Sequence, residues 1–284
     1  MKIIYFYDIE NWAIHNVGKL WLHDYFVSYK HISEIMYTDL STYDIIWFGF
    51  ATLFERVKSH IEKIKGFSIS KIVVSVHDPI ELDVLTEALK EVKLITASNQ
   101  LKNSLEKRGF SARLISTTTS LPFSYYKPYL EPTLISVSSL EPRKNPNLVK
   151  SLFYNCQNIG IKCSLKQNLN ILSESEYCKL FDFSNIYICM SSCEGGPIPA
   201  MDAMARGCVV LSTKVGQMLE LIEDGKNGFL LDTPDDFLNK IRWISQNLDW
   251  LREASSYSIY NLMKKRNVFE IRNQVKMFVK EFFE

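Results

Sequence analysis

Glu194 and Asp202 stand with seven residues between them in "SSCEGGPIPAMDAMARG", and Gly195, Gly196 and Pro197 follow the first acid directly. Carboxylates at that spacing accept hydrogen bonds from vicinal hydroxyls, as does the acid that takes a ribose diol in dinucleotide-binding folds. The glycines carry no side chain, so a ligand can approach the backbone and N–H groups can point at an anion. The stretch follows the apolar run "NIYICM" and leads into a helix with Pro199 in its first turn and Gly207 at its end. Glu194 then lies on a loop and Asp202 just inside the helix. This suits a ligand bearing sugar hydroxyls and phosphate. The plainer reading is a glycine turn beside a solvated acid.

A phosphate leaving group needs positive charge where its bond breaks. Arg143 and Lys144 in "SVSSLEPRKNP" follow the strand-like run "TLISVS" and precede a helix opened by Pro146, which puts both at a strand-end rim. His77 in "KIVVSVHDP" also follows a β-rich run, and Asp78 is placed to cap a helix starting near Pro79. A lone histidine there is often structural. In "YDIENWAIHNVGKL", Trp12 can stack on a sugar or simply bury the loop. Lys58, Lys63 and Lys65 form a basic helix face, in the first instance a solvated one.

The elements that must hold these residues alternate. "KIIYFY", "DIIWFGF", "KIVVSV", "VKLITAS" and "SARLIST" read as strands buried on both faces, with helical patterns over 53–64 and in "SNQLKNSLEKRG" between them. "TTTSLPFSYYKPYLEP" breaks the pattern as a connector would. A second array follows, with strands "TLISVSS", "IKCSL", "NIYICMSS", "CVVLST" and "GFLL" and helices beginning near Pro146, Ser173, Pro199 and Gly216. From Asn267 an apolar stripe of Val268, Ile271, Val275, Phe278, Val279 and Phe282 predicts an amphipathic helix. The expected organisation is a domain over 1–130, a second over 131–266 and a helix over 267–284. Ligands of open parallel sheets bind at the carboxyl ends of the strands, so two such domains would present their functional loops to one cleft.

Composition narrows the partners. With 33 basic against 32 acidic residues the chain has no global field for nucleic acid. Its six cysteines form no CxxC pair and sit mostly in apolar runs, which implies reduced thiols in a cytoplasmic compartment and no metal site. The N-terminal run, apolar for six residues before Asp8, is too short for a signal peptide or a membrane span. Membrane contact would be peripheral, at the inner face.

From Thr133 to Leu231 the chain resembles the donor half of retaining glycosyltransferases of GT-B fold, family 4, and the first half resembles them loosely. Glu194, Gly195, Pro197, "DAMARG", Val215, Gly216, "EDG" and "KNG" take the places of the family's motif residues. The resemblance implies two Rossmann-like α/β domains facing a central cleft, with the last helix packing back on the first domain. It implies transfer of a hexose-type sugar, with retention, from a nucleoside diphosphate sugar such as a UDP or GDP sugar to a glycan or lipid-linked hydroxyl acceptor, as in polysaccharide biosynthesis. No metal or further cofactor is implied.

By this resemblance Glu194 and His77 contact the donor sugar, and Arg143 and Lys144 hold the diphosphate. Ser139, Gly195, Gly196, Pro197, Asp202 and Gly216 line the donor site, with Asp202 on the ribose. Trp12, His15 and Gly18, at a helix start, fall on the acceptor-side loop. Three departures stand out: Asp202 replaces a glutamate, Ser139 an arginine, and Gln217 a second glycine. They keep a catalytically silent sugar-nucleotide binder in view. A glycoside hydrolase would instead need Glu194 and Asp202 across a scissile bond, about 5–9.5 Å apart.

Overall fold

The computed structural model describes residues 1–10, 13–64, 67–124, 131–137, 139–167 and 172–282. The chain divides into two units, Met1–Thr117 with Val268–Glu284, and Thr118–Asn267.

In the first unit the apolar runs become strands β1 (Ile3–Tyr7), β3 (Ile45–Phe48), β4 (Ile72–Val76), β5 (Lys93–Thr96) and β6 (Ala112–Leu114). A further strand, β2 (Val27–His31), is half-buried throughout and pairs in parallel with β1 at the edge. All pairings are parallel, in the order β2-β1-β3-β4-β5-β6. Helices α1 (Ala13–Trp21), α2 (Ala51–Ile61) and α3 (Asn99–Lys107) connect them. Ser98 caps α3, its side chain accepting from the Leu101 amide, and Asp78 caps a 3-10 turn over Pro79–Asp83.

The second unit repeats the scheme with β7 (Thr133–Val137), α4 (Pro146–Gln157), β8 (Lys162–Lys166), α5 (Glu174–Asp182), β9 (Ile186–Cys189), α6 (Ile198–Ala205), β10 (Val209–Ser212), α7 (Met218–Leu221) and β11 (Gly228–Leu230). Two further helices, α8 (Pro234–Ser245) and the 18-residue α9 (Leu248–Lys265), complete it. Its parallel sheet runs β11-β10-β9-β7-β8. The last helix, α10 (Val268–Lys280), belongs to the first unit, where Ile271, Val275, Phe278 and Val279 are buried and the Phe278 ring lies 5.9 Å from that of Trp47. Lys276 meets Asp24 at 2.7 Å in the same unit.

In both sheets the first strand lies between the second and the third, so chain direction across the sheet reverses beside it. Such a switch point leaves a crevice at the strands' carboxyl ends, where ligands bind. It lies between β1 and β3 in one unit and between β7 and β9 in the other. Arg143, Lys144 and Glu194 stand on the loops that leave β7 and β9.

Candidate donor site

Three loops are knitted together at the β7/β9 switch point. After β7 the chain makes a 3-10 turn over Pro142–Lys144, and Asn145 adopts a left-handed φ of 49° before α4 begins. Asn145 Nδ2 donates to Met190 O at 2.8 Å, and the Ser192 amide donates to Arg143 O at 2.7 Å, so the β7 loop is fixed to the β9 loop. After β10, the Thr213 hydroxyl donates to Ser191 O at 2.5 Å and the Gln217 amide to Gly195 O at 3.0 Å.

Glu194, only 5% exposed, is the centre of this knot. One carboxylate oxygen accepts from Lys144 Nζ and, at 2.7 Å, from Ser191 Oγ; the other accepts from Arg143 Nη1 at 3.2 Å. Arg143 also donates to Glu141 through Nε at 2.6 Å and to Cys193 O at 3.3 Å. Ser139 Oγ donates to the other Glu141 oxygen at 2.7 Å. Burial pushes the Glu141 carboxyl up, but the Ser139 hydroxyl and the charges of Arg143 and Lys144 outweigh it, and the net shift is downward. Two cations and two carboxylates thus neutralise one another at the rim. An ammonium has three donors and a guanidinium five, so each cation can serve more than one anion at once, as Arg143 does with Glu141 and Glu194.

Gly195 and Pro197 are buried and Gly196 half-buried beside Glu194. Gly216 presses on them from the β10 loop with φ +47°; a Cβ there would lie 2.6 Å from Glu194 O. Only glycine fits that backbone and that contact.

Asp202 occupies the first turns of α6 and is 3% exposed. Its oxygens accept from the Thr119 hydroxyl at 2.6 Å and the Tyr177 hydroxyl at 2.8 Å. Burial raises its pKa to about 6 against the pull of those two bonds. A ribose would therefore have to share or displace hydroxyls the protein already supplies.

His77 follows β4 in the first unit and is 8% exposed. Burial lowers its pKa to about 3, so the ring is neutral at pH 7. Its ring stacks on Trp21 at 5.3 Å, and Nε2 has no hydrogen-bond partner among the described residues. The buried Glu81 carboxylate holds the loop by accepting from the amides of His77 and Ala51 at 2.7 Å and of Asp78 at 2.9 Å.

The expected acceptor-side residues fare differently. Trp12 and Lys65 lie outside the described residues. His15 is 2% exposed and stacks on Tyr7 at 4.0 Å, 9° from parallel. Gly18 lies inside α1 instead of at a helix start, because the helix begins at Ala13, and a Cβ there would come 2.5 Å from the Tyr5 ring. The Gly18 carbonyl accepts from the Leu22 amide at 3.0 Å and from the Tyr29 hydroxyl at 3.4 Å. Lys58 meets Glu55 at 2.7 Å and the Thr86 hydroxyl at 2.9 Å. No helix among the described residues is long and apolar enough to cross a membrane.

Sequence reasoning misses Glu141, Ser191, Thr119 and Tyr177. Glu141 carries a signal, being an acid in the same strand-end loop as the two cations. Tyr177 carries none.

A family model described as glycosyl transferases group 1 matches residues 154–261. No curated protein matches the chain significantly. Among solved structures, a sucrose-phosphate synthase from Thermosynechococcus elongatus superposes with a TM-score of 0.79 at 14% identity, covering 100% of this chain and 99% of that one. HepE from Anabaena, solved in complex with UDP-glucose, gives 0.77 at 15% identity, with 99% and 100% covered. The fold is GT-B. A glycosyltransferase from Rickettsia africae gives 0.70 at 12% identity, with 100% and 98% covered. In this GT-B chain, the matched segment contains Glu194, Asp202 and Gly216 but not Arg143 or Lys144.

Proposed function

We propose that this chain transfers a hexose-type sugar from a nucleoside diphosphate sugar to a hydroxyl of a glycan or lipid-linked acceptor, with retention at the anomeric carbon. The observation that carries the reading is the convergence of Arg143 and Lys144 on Glu194 at the β7/β9 switch point. The UDP-glucose complex of HepE supports a sugar nucleotide as donor.

The bond between the anomeric carbon and the β-phosphate oxygen breaks with its electron pair on the diphosphate. Arg143 and Lys144 stabilise that charge as it develops, by electrostatic preorganisation. The acceptor oxygen attacks on the same face and passes its proton to the leaving phosphate, so no protein nucleophile takes part. Glu194 orients the sugar; the resemblance assigns His77 to the sugar as well, a role that the variants below test. The chain's own cations supply the charge that a divalent ion could otherwise supply. A hydrolase would need Asp202 at the reacting bond, whereas this carboxylate is buried against Thr119 and Tyr177.

Titration calorimetry with UDP, GDP and their hexose derivatives tests the donor, and turnover over an acceptor panel tests transfer. Glu194→Gln and His77→Ala are expected to lower turnover at least tenfold while changing affinity for the bare nucleotide less than threefold. Equal losses in both quantities would remove these residues from the sugar. Binding without turnover on any acceptor would favour a silent binder.

A further inference from the structure

The chain enters the second unit at Thr118 and leaves it at Asn267. These two passages are bonded to each other within that unit: Thr118 Oγ1 donates to Arg266 O at 3.1 Å. Arg266 is 8% exposed, and a buried guanidinium is stable only with partners for its charge and its N–H groups. It has them. Nε donates to Gln217 Oε1 at 2.9 Å, Nη2 to Glu220 Oε2 at 2.7 Å and Nη1 to Lys265 O at 2.9 Å. Gln217 is completely buried, and its amide donates to Gly195 O, beside Glu194, at 3.0 Å. Gln217 also directly follows the left-handed Gly216 that presses on that backbone.

A continuous set of bonds therefore runs from the donor loop through Gln217 and Arg266 to both passages of the chain. We propose that Gln217 and Arg266 are positioning residues that hold the Glu194–Gly195 loop in register with the two passages, and so set the grip on the donor sugar. A glycine at 217 would leave Arg266 Nε without its acceptor, which gives the departure from the resembled motif a physical purpose. The proposal rests on the reading of Glu194 as a sugar contact. The nucleotide itself is held by Arg143 and Lys144, whose loop has its own ties to the β9 loop through Asn145 to Met190 O and Ser192 to Arg143 O. Loss of the relay should therefore be felt by the sugar more than by the bare nucleotide.

The test uses the full chain with Gln217→Ala, Gln217→Glu and Thr118→Val. The last removes a hydroxyl at nearly constant shape, so it keeps the test open if Gln217→Ala fails to fold. Amide exchange of peptides containing Gly195 and Gln217 is read alongside calorimetry with UDP and UDP-glucose. Gln217→Ala and Thr118→Val should speed exchange there at least threefold, and Gln217→Glu, which still accepts from Arg266, should not. UDP affinity should stay within threefold of wild type, while the preference for UDP-glucose over UDP falls at least fivefold in Gln217→Ala and returns in Gln217→Glu. Unchanged exchange in both loss variants, or equal losses for UDP and UDP-glucose, would overturn the relay. A wild-type chain that binds none of UDP, GDP and their hexose derivatives would overturn the donor reading and the positioning role with it, and faster exchange would then mark a purely structural linkage.

Discussion

Asp202 holds its proton to a higher pH when folded, about 6, than its unfolded value near 3.8, because burial outweighs the Thr119 and Tyr177 hydrogen bonds. Between those values the folded chain binds the proton that the unfolded chain has released. The stability this group contributes is thus full below pH 4 and lost as the pH rises through 6. The loss is on the order of 3 kcal/mol. Asp202→Asn abolishes the titration, so its melting temperature relative to wild type should climb from pH 4 to pH 6 and then level off; a flat difference would mean that the carboxylate is not buried as described. UDP affinity of Asp202→Asn should remain within threefold, since protein hydroxyls already occupy the carboxylate, and a tenfold loss would return Asp202 to the ribose. The spacing to Glu194 was legible in the sequence because both acids stand in one short stretch. The partners were not, since Tyr177 and Thr119 lie 25 and 83 residues away and only the fold joins them.

The turn between β10 and α7 depends on Gly216. Alanine there would incur about 1–2 kcal/mol for left-handed backbone and would also drive a methyl into the Glu194–Gly195 carbonyls. Gly216→Ala should lower the melting temperature and weaken UDP-glucose at least tenfold. Gly160, with φ +83° and nothing within 4 Å of the position a Cβ would take, isolates the backbone cost. Gly160→Ala should lower stability alone, and a similar loss of binding in both variants would make the Gly216 effect one of general stability. Strands such as β1, β3 and β9 were legible as apolar runs because both faces are buried. The edge strand β2, "VSYKH", is half-buried and polar enough to escape that pattern. Gly18 was misplaced for a related reason: glycine reads as a terminus, yet here it makes room for the Tyr5 ring inside α1.

Each hydrophobic core cluster draws its residues from one unit, Ile4 to Ala112 in the first, and Leu121 to Leu262 and Leu134 to Ala254 in the second. The residues proposed to hold the nucleotide, Arg143 and Lys144, both belong to the second. A ligand that binds only folded protein adds about 2.7 kcal/mol at 100 times its dissociation constant. That corresponds to roughly 100-fold slower exchange for amides that open only when their unit unfolds. Saturating UDP should therefore slow exchange in β7, β9 and β10 by up to that factor and leave β1, β3 and β4 nearly unchanged. The same slowing is expected in EDTA, because Arg143 and Lys144 provide the charge that meets the diphosphate. Equal slowing in both sheets would show that the units unfold together or share the nucleotide. Slowing that vanishes in EDTA and returns with manganese would assign the diphosphate to a divalent ion and leave the two cations bound to Glu194 and Glu141.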